Sequence, residues 1–69
     1  MNVSEAILRI AKCWEMSTGE KFDVHRLVCV RVTFMNTIQF ELIDGNRYCI
    51  HGNSLFIETY QEWKGYKGV

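Results

Sequence analysis

The feature that most constrains this fold is an alternation of apolar and polar residues from Val24 to Leu42, interrupted once near Asn36. On both sides of the interruption, even-numbered positions are mainly apolar and odd-numbered positions are mainly polar. A two-residue period is typical of a β-strand with one buried face. The segment therefore predicts two antiparallel strands joined by a tight reversal at Asn36.

An apex at Asn36 also predicts the register of this hairpin. The expected pairs are Val32 with Phe40, Val30 with Leu42, and Arg31 with Glu41. Such a register places apolar side chains together on one face and opposite charges together on the other. A slip by one residue would move every side chain to the wrong face.

Asp44-Gly45-Asn46 is a strong turn signal, because each of these residues tolerates a positive φ. A third strand, Arg47 to His51, is expected after it. Its register stays open, because a two-residue loop and a three-residue loop place Tyr48 and Ile50 on opposite faces.

A helix is predicted at about residues 3 to 17. Asn2 and Glu5 have the spacing of a capping box, and Gly19 stands where a helix ends. Its apolar face is expected to hold Val3, Ile7, Ile10 and Trp14.

A second helix is predicted after Gly52-Asn53-Ser54, with Gly65 beyond its end. Its apolar stripe would be Phe56, Tyr60 and Trp63. The expected architecture is a single α+β domain over residues 1–69: helix, three-stranded antiparallel meander, helix, with both helices on the apolar face of the sheet. The other face would stay partly open, and its expected members are His25, Leu27, Cys29, Arg31, Thr33, Gln39, Glu41 and Ile43.

Composition excludes several classes of protein. Eight Lys and Arg residues balance eight Asp and Glu residues, so no net field attracts a phosphate backbone. Three cysteines, Cys13, Cys29 and Cys49, are widely spaced within apolar runs, which indicates buried thiols in a reducing cytoplasm. Neither a secretory signal nor a membrane span is expected.

No catalytic, metal or cofactor site is predicted, so the chain is expected not to be an enzyme. The strongest candidate set has the ligand types of a zinc site: His25, Cys29, Cys49 and His51. His25 and Cys29 would lie about 13 Å apart on one strand, too far to share a metal. Cys49 with His51 lacks a third group that would orient a nucleophile and its base.

The predicted element order resembles that of double-stranded-RNA-binding domains. That family has a histidine-bearing loop between its first strands and a lysine cluster at the start of its last helix. The matching segments here are Met35-Asn36-Thr37 and Leu55-Phe56-Ile57-Glu58, which lack both signatures. The resemblance implies an alternative function, a regulator that binds nucleic acid through basic residues. These would be Arg9, Lys12, Lys21, Arg26, Arg31 and Arg47.

The leading functional hypothesis is a small non-enzymatic protein that docks on a larger protein or complex as an inhibitor, adaptor or regulator. A single domain of this size without cofactor motifs is typical of bacteriophage and mobile-element products that block a host machine, such as a defence complex. A homodimer is compatible with this hypothesis. The predicted partner-binding residues are Arg31, Gln39 and Glu41 on the sheet, with Trp63 and Tyr66 in the tail.

Overall fold

A computed structural model describes residues 1–33 and 36–58 of the chain. Over these ranges the protein is of the α+β class, with one α-helix, a short 3-10 helix and four strands. The elements are α1, Val3–Thr18; the 3-10 helix, Val24–Arg26; β1, Leu27–Val32; β2, Ile38–Leu42; β3, Arg47–His51; and β4, Ser54–Glu58. The strands form one antiparallel sheet in the order β1-β2-β3-β4.

The predicted first helix is confirmed as α1. The Asn2 side chain accepts a hydrogen bond from the Glu5 backbone N–H at 2.9 Å, and Gly19 ends the helix with a left-handed φ of 76°. The buried face of α1 is formed by Ala6, Ile10, Cys13 and Trp14. The expectation that Val3 belongs to this face is wrong, because its side chain is exposed at the first turn.

The core lies between α1 and the apolar face of the sheet. Trp14 packs against the rings of Phe22, Phe40 and Tyr48, with ring centroids 5.5, 6.5 and 5.3 Å away. Ile38, Phe40, Leu42 and Ile50 are fully buried beneath the helix. The predicted apolar face is confirmed for Val30 and Val32 of β1 and for β2, but Leu27, expected on the open face, also packs against this core.

The predicted register of β1 and β2 is wrong by two residues. Val30 lies opposite Phe40 and Arg31 lies opposite Gln39. The shift arises at the connection, where the Thr33 N–H donates to the Thr37 carbonyl at 2.8 Å and Asn36 takes a φ of 56°. A slip of two residues preserves which face each side chain occupies, so the alternation could not detect it.

The open register of β3 is decided by a three-residue loop at positions 43–45. The Leu42 N–H donates to the Asn46 carbonyl and the Gly45 N–H donates to the Leu42 carbonyl, both at 2.9 Å. Gly45 has a φ of 89°, which a residue with a side chain rarely adopts. This geometry places Tyr48 opposite Phe40 and Ile50 opposite Ile38, on the core face.

The prediction of a helix after residue 53 is wrong at residues 54–58, which form β4. Gly52 and Asn53 make a two-residue turn, with Gly52 at a φ of 58°. Leu55 and Ile57 alternate with Phe56 and Glu58, so the segment also fits a two-residue period. The sheet consequently has four strands instead of three, and residues 59–64 of the predicted helix lie outside the described residues.

Candidate functional site

The sheet face turned away from α1 carries most of the polar side chains that the sequence singled out. We call it the polar face, and the strand pairings assign twelve residues to it. They are Cys29, Arg31 and Thr33; Thr37, Gln39 and Glu41; Arg47, Cys49 and His51; and Ser54, Phe56 and Glu58.

Gln39 links side chains from three strands at the centre of the polar face. Its Oε1 accepts a hydrogen bond from Arg31 Nη2 at 2.7 Å, and its Nε2 donates to Glu58 Oε1 at 3.1 Å. Gln39 has no exposed surface and Glu58 is 7% exposed. Both ends of the Gln39 amide are thus used inside the protein, as a buried polar group requires.

The predicted ion pair between Arg31 and Glu41 is wrong, since the register gives each a different partner. Glu41 lies opposite Arg47, and Arg47 Nη2 is 3.6 Å from Glu41 Oε2. Both side chains are about three-quarters buried. The opposite charges of this face therefore meet between β2 and β3 and not between β1 and β2.

Three of the residues predicted to bind a partner take part in these contacts within the sheet. Arg31 and Glu41 are partly buried and Gln39 is fully buried. The expectation of a partly open face is wrong at Thr33 and Gln39, because neither presents surface to solvent. Trp63 and Tyr66 lie outside the described residues.

The four candidate zinc ligands are not brought together in one group. His25 is in the 3-10 helix, whereas Cys29 and Cys49 lie on β1 and β3 with β2 between them. The His51 ring is 3.2 Å from the Thr37 hydroxyl and packs edge-on to Phe56, with centroids 5.9 Å apart. Within residues 1–33 and 36–58, no three His, Cys, Asp or Glu side chains lie close enough to hold a metal ion.

The six basic residues of the nucleic-acid alternative do not form a single surface. Arg31 and Arg47 are on the polar face, whereas Arg9 and Lys12 are on α1, across the sheet. Arg9 Nη2 donates to the Gly52 carbonyl at 2.8 Å. The other two are Arg26, which is 3.2 Å from Asp44, and the exposed Lys21.

A different surface, which sequence reasoning did not single out, lies where the chain enters β1. The Ile43 N–H donates to the Arg26 carbonyl at 2.9 Å, which joins the 43–45 loop to the 3-10 helix. Around this junction Val24, Val28 and Ile43 expose between 47 and 67% of their surface. We call these three side chains the apolar corner.

Two features border the apolar corner. Arg26 is bonded to Asp44 and also lies over the Trp14 ring, 5.8 Å from its centroid. A shallow depression of about 360 Å³ is lined by Lys21, Phe22, Asp23, Val24 and His25. The two-residue alternation in the sequence placed Val24 and Val28 on a buried strand face. A β-bulge between Leu27 and Cys29 ends the regular strand pairing there. Asp23, whose side chain accepts a hydrogen bond from the His25 backbone N–H, is the sequence signal that could have indicated the short helix.

Comparison with known proteins gives no assignment: no protein-family model matches the chain, and neither the curated proteins nor the solved structures yield a significant match. Across the described part of the chain, no helix has the length and apolar character needed to cross a membrane.

Proposed function

We propose that this protein acts without catalysis, by docking on a larger protein or protein complex as an inhibitor, adaptor or regulator. The observation that carries the proposal is the apolar corner. Three large apolar side chains there are 47 to 67% exposed, on segments that the backbone bond from Ile43 to Arg26 joins. Contiguous exposed apolar side chains are typical of protein interaction sites.

The energetics favour the apolar corner as an anchor. Covering Val24, Val28 and Ile43 with a partner removes apolar surface from water, which contributes about 1 kcal/mol or more for each side chain. The backbone bond between Ile43 and Arg26 holds the site in place, so little ordering entropy is lost on binding. The Arg26 and Asp44 pair at its rim supplies polar groups that could set the orientation of a partner.

The finer proposal is an inhibitor encoded by a phage or mobile element and directed at a host defence complex in the cytoplasm. Its support is the size of the chain together with a surface suited to docking. Arg31 and Glu41 on the polar face, and Trp63 and Tyr66 in the tail, remain proposed additional contacts. Gln39 would act only indirectly, by holding Arg31 in position.

The experiment is affinity purification from the native host followed by mass spectrometry, and then measurement of the affinity for the captured partner. We expect Ile43→Lys to weaken binding by about tenfold or more, because a charge replaces an apolar anchor. Leu8→Lys is the matched control, since Leu8 is equally exposed but lies on the outer side of α1. Equal affinities of the two variants for the partner would refute the docking site.

Nucleic-acid binding is the alternative outcome of the same purification. A parallel purification with nuclease treatment separates nucleic-acid binding from protein docking, because a nucleic-acid complex would be lost. Binding through phosphates would also fall steeply between low and moderate salt. Salt-tolerant capture of a protein supports docking, whereas nuclease-sensitive and salt-sensitive capture would overturn it.

A further inference from the structure

The outer edge of β4 has the properties of a strand that pairs with another strand. Within the described residues β4 hydrogen-bonds to a single neighbour, β3. Its sequence, Ser54-Leu55-Phe56-Ile57-Glu58, contains two residues that are enriched in strands, Phe56 and Ile57, and no proline or basic residue. Phe56 is 49% and Ile57 is 76% exposed, on opposite faces of the strand. An apolar edge of this kind is a template for pairing.

The opposite edge of the sheet is protected by contrast. β1 contains the β-bulge between Leu27 and Cys29, which interrupts a regular ladder. Bulges are a common means by which proteins prevent association at a sheet edge. β4 has regular pairing along its whole length, so the two edges are not equivalent.

The β3–β4 turn shows which backbone groups of β4 point outward. In a two-residue hairpin the closing pair, here His51 and Ser54, exchanges hydrogen bonds. Hydrogen-bonded and non-hydrogen-bonded pairs then alternate along an antiparallel ladder. Leu55 and Ile57 therefore direct their backbone N–H and carbonyl groups away from β3, towards the outer edge.

We propose that β4 pairs with β4 of a second copy of this chain, antiparallel about a two-fold axis at Phe56. The dimer then contains a continuous eight-stranded sheet. The outward backbone N–H and carbonyl groups of Leu55 bond to those of residue 57 in the second copy. Ile57 forms the same two bonds with residue 55 of the second copy. The two Phe56 rings meet across the axis on the polar face.

A second copy fits this edge because the strand is self-complementary in that register. Each outward donor faces an outward acceptor, and apolar residues at 55, 56 and 57 face apolar residues. Glu58, the one charged residue of β4, lies opposite Ser54 of the other copy, so no like charges meet. Because the contact is two-fold symmetric, the β4 edges of both copies are covered in the same interface.

The test is the mass of the intact chain by sedimentation equilibrium from micromolar to millimolar concentration. The wild type should form a dimer within this range. Phe56→Lys and Phe56→Glu should each raise the dimer Kd by about tenfold or more, because like charges face each other across the axis. An equal mixture of the two variants should form heterodimers, since lysine then faces glutamate.

Val28→Lys, which adds the same charge beside the β1 edge, is the control and should leave the dimer intact. A circular dichroism spectrum like that of the wild type checks that each variant is folded. The proposal is overturned by a wild type that stays monomeric at millimolar concentration, by a mixture that stays monomeric, or by dissociation with Val28→Lys alone. Failure of this test leaves the apolar corner unaffected, because that site is tested by partner capture.

Discussion

Asp23 organises the short segment that leads into β1. Its Oδ1 accepts a hydrogen bond from the His25 backbone N–H at 3.0 Å and lies 3.1 Å from His25 Nδ1. These contacts cap the 3-10 helix at Val24–Arg26 and so position Val24 within the apolar corner. The backbone hydrogen bond from His25 is the main cause that lowers the pKa of Asp23, and the contact with the His25 side chain adds to it.

The lowered pKa of Asp23 predicts how this cap responds to pH. The carboxylate stabilises the folded state above the ordinary pKa of 3.8, and this contribution is lost as the pH falls through the lower pKa of the folded protein. An NMR titration should place the Asp23 midpoint below 3.8. Asp23→Asn keeps a capping oxygen without a titrating group, so it should remove this part of the acid sensitivity. A midpoint at or above 3.8 would contradict the capping role.

At the scale of elements, Gln39 ties the edge strands β1 and β4 to the centre of the sheet. Its amide joins Arg31 of β1 to Glu58 of β4, although β4 is not adjacent to β2. A fully buried amide with both ends bonded specifies the positions of its partners, because losing a bond in a buried site is costly. The pair of Glu41 and Arg47 is partly exposed and holds β2 to β3 less strongly.

This difference in burial predicts unequal effects on stability. Gln39→Ala should lower the free energy of unfolding by about 2 kcal/mol, because Arg31 and Glu58 lose a buried partner. Glu41→Gln should lower it by less than about 1 kcal/mol, since its ion pair is longer and partly exposed. Urea denaturation followed by tryptophan fluorescence measures both. Equal losses in the free energy of unfolding for the two variants would show that the Gln39 hydrogen bonds stabilise the fold no more than the ion pair of Glu41 and Arg47 does.

At the scale of the whole molecule, the two proposed surfaces lie at opposite edges of the sheet. The apolar corner adjoins the start of β1, and the self-pairing strand is β4. Pairing through β4 would therefore leave the apolar corner of each copy accessible. A dimer could present two corners to one complex and bind it with greater avidity than a monomer.

This separation predicts that the two functions can be lost independently. Ile43→Lys should weaken partner binding by about tenfold or more while the dimer mass persists, and Phe56→Lys should shift the chain towards a monomer that still binds through one corner. Partner affinity and sedimentation mass are measured on the same two preparations. Loss of both properties in both variants would place docking and self-pairing on one shared surface.

Some of this structure was determined by the sequence alone. The caps and the apolar stripe of α1 act within a few residues, so Asn2 and Gly19 located its ends. The alternation in β2, and in β1 from Cys29 onward, likewise determined which side chains face α1, because parity is a property of each strand by itself.

Other features were decided only by the tertiary structure. The register of the first hairpin depended on the turn that forms near Asn36. Parity could not distinguish two registers that differ by two residues, so it could not show that Arg31 lies opposite Gln39 and Glu41 opposite Arg47. The run from Ser54 to Glu58 is too short for its period to separate a helix from a strand, and pairing with β3 made it a strand. Gln39, which the sequence placed on a partly open face, is buried by its contacts with Arg31 and Glu58, because burial depends on neighbours that are distant in the chain.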